Sequence, residues 1–102
     1  MAVADFFHAP DIELVDVSKY TGRVGSTIEV KVVDDFKVSG VTVAIYNSDG
    51  TEVEQGNAVQ QTNKSVWIYT ATTENESLSG DRIVISAHDL PGNVTEKNET
   101  LN

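Results

Sequence analysis

The chain has 102 residues, 39% of them hydrophobic, with sixteen acidic against seven basic residues, a formal net charge of −9 and no cysteine. That length makes one domain, able to bury roughly two-thirds of the surface its unfolded form exposes, while the acidity repels a phosphate backbone and excludes nucleic acid as a natural partner. Without cysteine there is no disulfide framework, thiolate nucleophile or cysteine zinc site, and no apolar run approaches the ~20 residues needed to span a membrane.

The opening Met1-Ala2-Val3-Ala4-Asp5 lacks the basic start and apolar stretch of a signal peptide. Neither terminus reads as a natural end, which points to a piece of a longer protein. Residues 1–10 form a linker or incoming segment, and 11–102 form the domain. The first run, DIELVDVSK, offers Ile12, Leu14 and Val17, and its change of phase suggests a small irregularity. TGRVG turns the chain with Gly22 and Gly25. TIEVKVV then alternates strictly, with Ile28, Val30 and Val32 on one face and Glu29 and Lys31 on the other.

DDFKVSG is a loop carrying Asp34 and Asp35, and VTVAIY resumes the alternation with Val41, Val43 and Ile45. NSDGT is a hairpin signal, because Asp49-Gly50 supplies the positive φ such turns need. A weak edge strand follows around Thr51 to Glu54, interrupted by Gly56-Asn57. SVWIYTAT is the next strand, and ENESLSGD connects it to RIVISAH, where Ile83, Ile85 and Ala87 share a face. DLPGN turns into a last polar strand, VTEKNETL. No stretch carries a 3.6-residue period. About seven antiparallel strands at this spacing predict an all-β, immunoglobulin-like sandwich of two sheets.

TIEVKVVDDFKVSGVTVAIYNSDGTEV, VWIYTAT and GDRIVISAHDLPGNVT, taken in that order, resemble the bacterial immunoglobulin-like (Big-type) domains. A strand ending in an Asp pair is followed by V-x-x-V-x-V, a D-G hairpin, a W-x-Y-x-A strand and an A-x-D-x-x-G-N turn. The resemblance covers residues 12 to 101. It implies a non-catalytic structural, spacer or adhesion module of a bacterial multidomain protein, extracellular or in the cell envelope. The implied partners are neighbouring domains of the same chain. The alternative is a carbohydrate- or protein-binding module using Trp67 and Tyr69 or the loop end at Asp34, Asp35 and Asp89. A fold used for so many purposes does not name a ligand.

Candidate sites follow from the strand geometry. His88 falls on the face opposite Ile83, Ile85 and Ala87, hence outward, and the other histidine is His8 in the leading segment. No serine or threonine sits in a nucleophile elbow, so no residue is assigned a catalytic role. In such a sandwich Asp34, Asp35, Asp89 and Asn93 gather at one end, near Asp11. Oxygen ligands on adjoining loops are what calcium requires, although the spacing matches no EF-hand. The competing reading is structural, with Asp89 accepting backbone N–H groups, Pro91 presetting φ and Gly92 supplying a positive φ.

SVWIYTAT is apolar on both parities. The resemblance places Trp67, Tyr69 and Ala71 in the core, and the alternative leaves the aromatics as a platform for sugar rings. Four N-x-S/T sequons begin at Asn63, Asn75, Asn93 and Asn98; composition accounts for them in a bacterial chain, and glycosylation would in a secreted eukaryotic one. A polar last strand and a charged weak fourth strand discourage edge pairing and favour a monomer.

Overall fold

The computed structural model describes residues 10–33, 38–63, 65–89 and 92–101. Their strands are β1 (Asp11–Asp16), β2 (Thr27–Val33), β3 (Val38–Tyr46), β4 (Glu52–Asn57), β5 (Val59–Gln60), β6 (Val66–Thr70), β7 (Arg82–Asp89) and β8 (Val94–Thr100), with no helix among the described residues. Two four-stranded antiparallel sheets, β1-β2-β6-β5 and β4-β3-β7-β8, pack as a sandwich. That order is the immunoglobulin arrangement, with one extra strand beside β3. The count is eight rather than about seven.

Period-two alternation builds the core. Ile28, Val30 and Val32 from β2 face Val41, Val43 and Ile45 from β3 and Ile83, Ile85 and Ala87 from β7, all buried. Each buried Val or Ile contributes roughly 1.5–3 kcal/mol of transfer free energy. The β-branched side chains that supply it also favour the pleated backbone. The phase change in the first run is a β-bulge: the register with β2 slips between Ile12 and Leu14. The extra residue turns Leu14 outward, 47% exposed, and brings Val15 and Val17 onto the core. Leu14 is therefore not a core residue.

The β3–β4 hairpin turns as NSDGT requires. Gly50 donates its N–H to the Asn47 carbonyl at 2.9 Å and adopts φ of 90°, and the Thr51 N–H bonds Asp49 Oδ1 at 2.9 Å. Beyond the turn the fourth strand is not interrupted at Gly56-Asn57. β4 runs to Asn57, and Gly56 is accommodated because the Tyr69 ring lies over it; a Cβ there would stand 3.1 Å from Tyr69 Cε1. Buried Ala58 then passes the chain to the other sheet, where β5 pairs with β6. A strand of two residues carries no period, so the sequence did not announce β5.

Asp11 pairs with Val33, and Val38 with Asp89, so the start of β1, the end of β2, the start of β3 and the end of β7 share one end of the sandwich. β8 runs away from that end. Its exit is held by Gly80 N–H donating to the Leu101 carbonyl at 2.8 Å and Leu101 N–H to the Asp81 carbonyl at 2.7 Å. Of the leading segment, Pro10 is fully buried, and residues 1–9, His8 among them, lie outside the described residues.

Candidate functional site

At the loop end the structure joins two of the four proposed oxygen ligands. Asp89, 4% exposed, continues the inward face of β7. Its Oδ1 accepts the Asn93 N–H at 2.7 Å and its Oδ2 accepts Asn93 Nδ2 at 3.2 Å. Gly92, at φ of 99°, donates back to the Asp89 carbonyl at 3.2 Å. These bonds supply the turn chemistry expected of an Asx residue. Asp34, Asp35 and Pro91 lie outside the described residues. Among the described residues there is no group of three or more His, Asp or Glu side chains placed to hold a metal ion. His88 is half-buried on the outer face, and its cross-strand neighbours are Gly40 and Val94, neither titratable.

Trp67 and Tyr69 form no exposed platform. Both are buried, Trp67 at 6% exposure, because β6 turns this parity toward the opposing sheet and leaves Val66 and Ile68 on the outer side. The carbohydrate platform built on these two rings is thereby overturned. Trp67 Nε1 is buried with no acceptor among the described residues.

Beside Tyr69 the core holds a carboxylate that the sequence did not advertise. Glu54 is 7% exposed and points inward from β4. Its Oε1 accepts the Tyr69 hydroxyl from the other sheet, the Thr72 N–H at 2.9 Å and the Thr72 hydroxyl at 3.1 Å, and its Oε2 accepts the Thr73 N–H at 3.2 Å. Burial acts to raise the carboxyl's pKa, and these bonds outweigh burial to hold it below its ordinary 4.5. For Tyr69, burial and the bond to Glu54 raise the phenol well above its usual 10. A second polar cluster lies at the same end. Asn75 Nδ2 donates to the Tyr20 hydroxyl at 3.1 Å and to Asp81 Oδ2, with all three residues buried. The two clusters satisfy groups that would otherwise be expensive to bury.

The sequons divide by the same hydrogen bonds. Asn75 Nδ2 and Asn93 Nδ2 are committed to the bonds just described, whereas Asn63 and Asn98 are exposed.

A concave surface with polar walls lies on the outer face of the β4-β3-β7-β8 sheet. A groove of about 440 Å³ runs over its two central strands. Register sets two rungs across it: Gln55, Ala44, Val84 and Asn98, then Asn57, Thr42, Ser86 and Glu96. The floor is small and uncharged, while the walls carry amides and one carboxylate. Tyr46 closes one end, with the Arg82 guanidinium 5.5 Å from its ring centroid. Sequence reasoning passed over this face, although the outward positions Thr42, Ala44, Val84 and Ser86 already lacked the charges that β2 carries at Glu29 and Lys31.

No protein-family model matches the chain, and no curated protein matches it. Among solved structures the chain is similar to the crystal structure of the Group B Streptococcus pullulanase SAP. The two share 20% identity at a TM-score of 0.46, over 76% of this chain and 10% of that one. The match therefore spans about a tenth of that protein's length.

Proposed function

We propose that this chain is a non-catalytic structural module of a bacterial cell-surface or secreted multidomain protein, holding neighbouring domains or an adhesive surface at a fixed separation. The observation that carries this reading is the path of the chain. β1 begins at the end where Asp11 meets Val33, and β8 finishes at the opposite end, where Leu101 is tied to Gly80 and Asp81. Entry and exit are separated by the length of a strand, about 25 Å for the eight residues of β7. A module that spaces its neighbours requires that geometry.

Tension applied along this axis loads the β1–β2 and β7–β8 ladders in shear, so many backbone bonds must fail together. Catalysis is no part of this reading; among the described residues His88 faces outward, half-buried, with Gly40 and Val94 as its cross-strand neighbours. No helix among the described residues is long and apolar enough to cross a membrane.

The test is force spectroscopy on a polyprotein of tandem copies pulled through their termini. One discrete, high-force event per copy is expected. Unfolding at the low forces that peel a hairpin from its end would remove the mechanical reading.

A further inference from the structure

We propose that the groove across the outer face of the β4-β3-β7-β8 sheet binds a neutral oligosaccharide. The floor is the first reason. Thr42, Ala44, Val84 and Ser86 stand opposite one another in register, half-buried and uncharged, so a flat ring can approach the sheet closely. Solvated sheet faces are usually covered by long charged side chains, as β2 is by Glu29 and Lys31. Here that cover is missing over Thr42, Ala44, Val84 and Ser86, and the long cation of β7, Arg82, stands beyond them beside Tyr46.

The walls supply the second reason. Gln55 and Asn57 stand on one side and Glu96 on the other, each exposed. A side-chain amide presents donor and acceptor together, and a carboxylate presents two acceptors. That is the complement of vicinal hydroxyls. Tyr46 at the groove's end offers an aromatic surface to the C–H face of a sugar ring. Adjacent strands lie about 4.8 Å apart, close to the repeat of an extended pyranose chain, so a saccharide laid along the rungs meets one strand per ring. The volume, about 440 Å³, is that of a small-molecule site and takes a short oligosaccharide.

Competing occupants fit less well. β3 lies between β4 and β7, and β7 between β3 and β8, so the floor has no free backbone edge on which a peptide could add as a strand. Glu96 is the charged residue lining the groove, the Arg82 guanidinium stands at its end engaged with the Tyr46 ring, and the chain carries −9 overall, a balance that disfavours phosphorylated, sulfated or uronic ligands. An uncharged polyol meets no such repulsion.

The experiment is a ¹⁵N–¹H titration of the whole chain with neutral gluco-, galacto- and manno-configured tetrasaccharides, with a basic peptide and an acidic glycan fragment in parallel. At least one neutral saccharide is expected to shift the amides of residues 42–46, 55–57, 84–86 and 96–98. Ala44→Arg, which fills the floor, should weaken that binding by at least about tenfold. The exposed pair Gln55→Ala and Asn57→Ala should weaken it too, and covers the case in which Ala44→Arg does not fold. Leu14→Arg on the other sheet should leave it unchanged. No shift with any neutral saccharide, shifts mapping to the loops, or shifts from the peptide alone would each overturn the proposal. All of these outcomes leave the force measurement, and the spacer reading it tests, untouched.

Discussion

The Tyr69 hydroxyl donates to Glu54 Oε1 across the space between the two sheets, joining β6 of one to β4 of the other. Ionic acceptors strengthen such bonds, and a buried carboxylate stripped of its donors is costly. Tyr69→Phe is expected to lower unfolding free energy by about 2 kcal/mol, and Glu54→Ala, which strands the Tyr69, Thr72 and Thr73 donors, by roughly 3 kcal/mol. The two losses should not add. Urea denaturation of both single variants and the double variant measures the coupling, and a coupling of zero would make the contact incidental.

The same pair sets the pH response, with opposite signs on the two limbs. Glu54 is held below 4.5, so its contribution is full above that value and fades as pH falls through the depressed pKa. Tyr69 is raised, chiefly by burial and then by Glu54, and Tyr20 is raised by burial. Above pH 10 the unfolded chain therefore loses phenolic protons that the folded chain keeps, and stability falls with rising pH. Glu54→Gln should flatten the acid limb, and Tyr69→Phe the alkaline one. Thermal midpoints across both ranges check this; parallel curves for wild type and variants would contradict it.

Much of the sandwich was legible because its information is local. Ile28, Val30, Val32, Ile83, Ile85 and Ala87 declare their face by position alone, and the bulge at Glu13 shows as a broken period in DIELVDVSK. Asp89 and Asn93 close a turn within four residues, so their bond could be read from the turn chemistry. Glu54 could not. Between Val53 and Gln55 it looks like an edge-strand acid, and its partners lie 15 to 19 residues further along the chain. Gly56 looked like a breaker because the ring that needs its missing Cβ arrives from another strand. The groove was half legible: alternation set Thr42, Ala44, Val84 and Ser86 outward, but only the register with β4 and β8 supplies its walls.

Trp67 is the chain's one tryptophan, so its emission reports a single site. At 6% exposure it should emit well to the blue of indole in water and shift red on unfolding. Acrylamide is the appropriate quencher, since an anionic one is repelled by the −9 chain whatever the burial. Easy quenching of the native state would put the ring back on the surface.

Asp89 bears on both the turn and the calcium reading. Asp89→Ala deprives Asn93 of both acceptors and should cost about 1–2 kcal/mol, whereas Asp89→Asn keeps a carbonyl oxygen and costs less. The Asn93 bonds account for Asp89 as a turn residue, and on that reading the melting midpoints are equal in millimolar calcium and in chelator. A rise in calcium that disappears in Asp89→Ala would instead give the loop end a cation.

Gly22 and Gly25 provide a matched comparison within one loop. Both have positive φ, 84° and 93°, so alanine at either position carries the left-handed backbone cost of about 1–2 kcal/mol. They differ in what a Cβ would meet. At Gly25 it enters open space, whereas at Gly22 it would stand 2.2 Å from the Asn75 carbonyl oxygen. Gly22 also accepts the Asn75 N–H at 2.6 Å, and Asn75 in turn holds Tyr20 and Asp81. Gly22→Ala must therefore push the 71–81 connection away and loosen that buried cluster. It should cost at least about 2 kcal/mol more than Gly25→Ala and move the raised ionisation of Tyr20, which burial raises and the Asn75 bond lowers, seen by ultraviolet titration of the phenol. Equal losses at the two glycines, with the Tyr20 titration unmoved, would assign the whole cost to φ and leave the close approach to Asn75 without energetic weight.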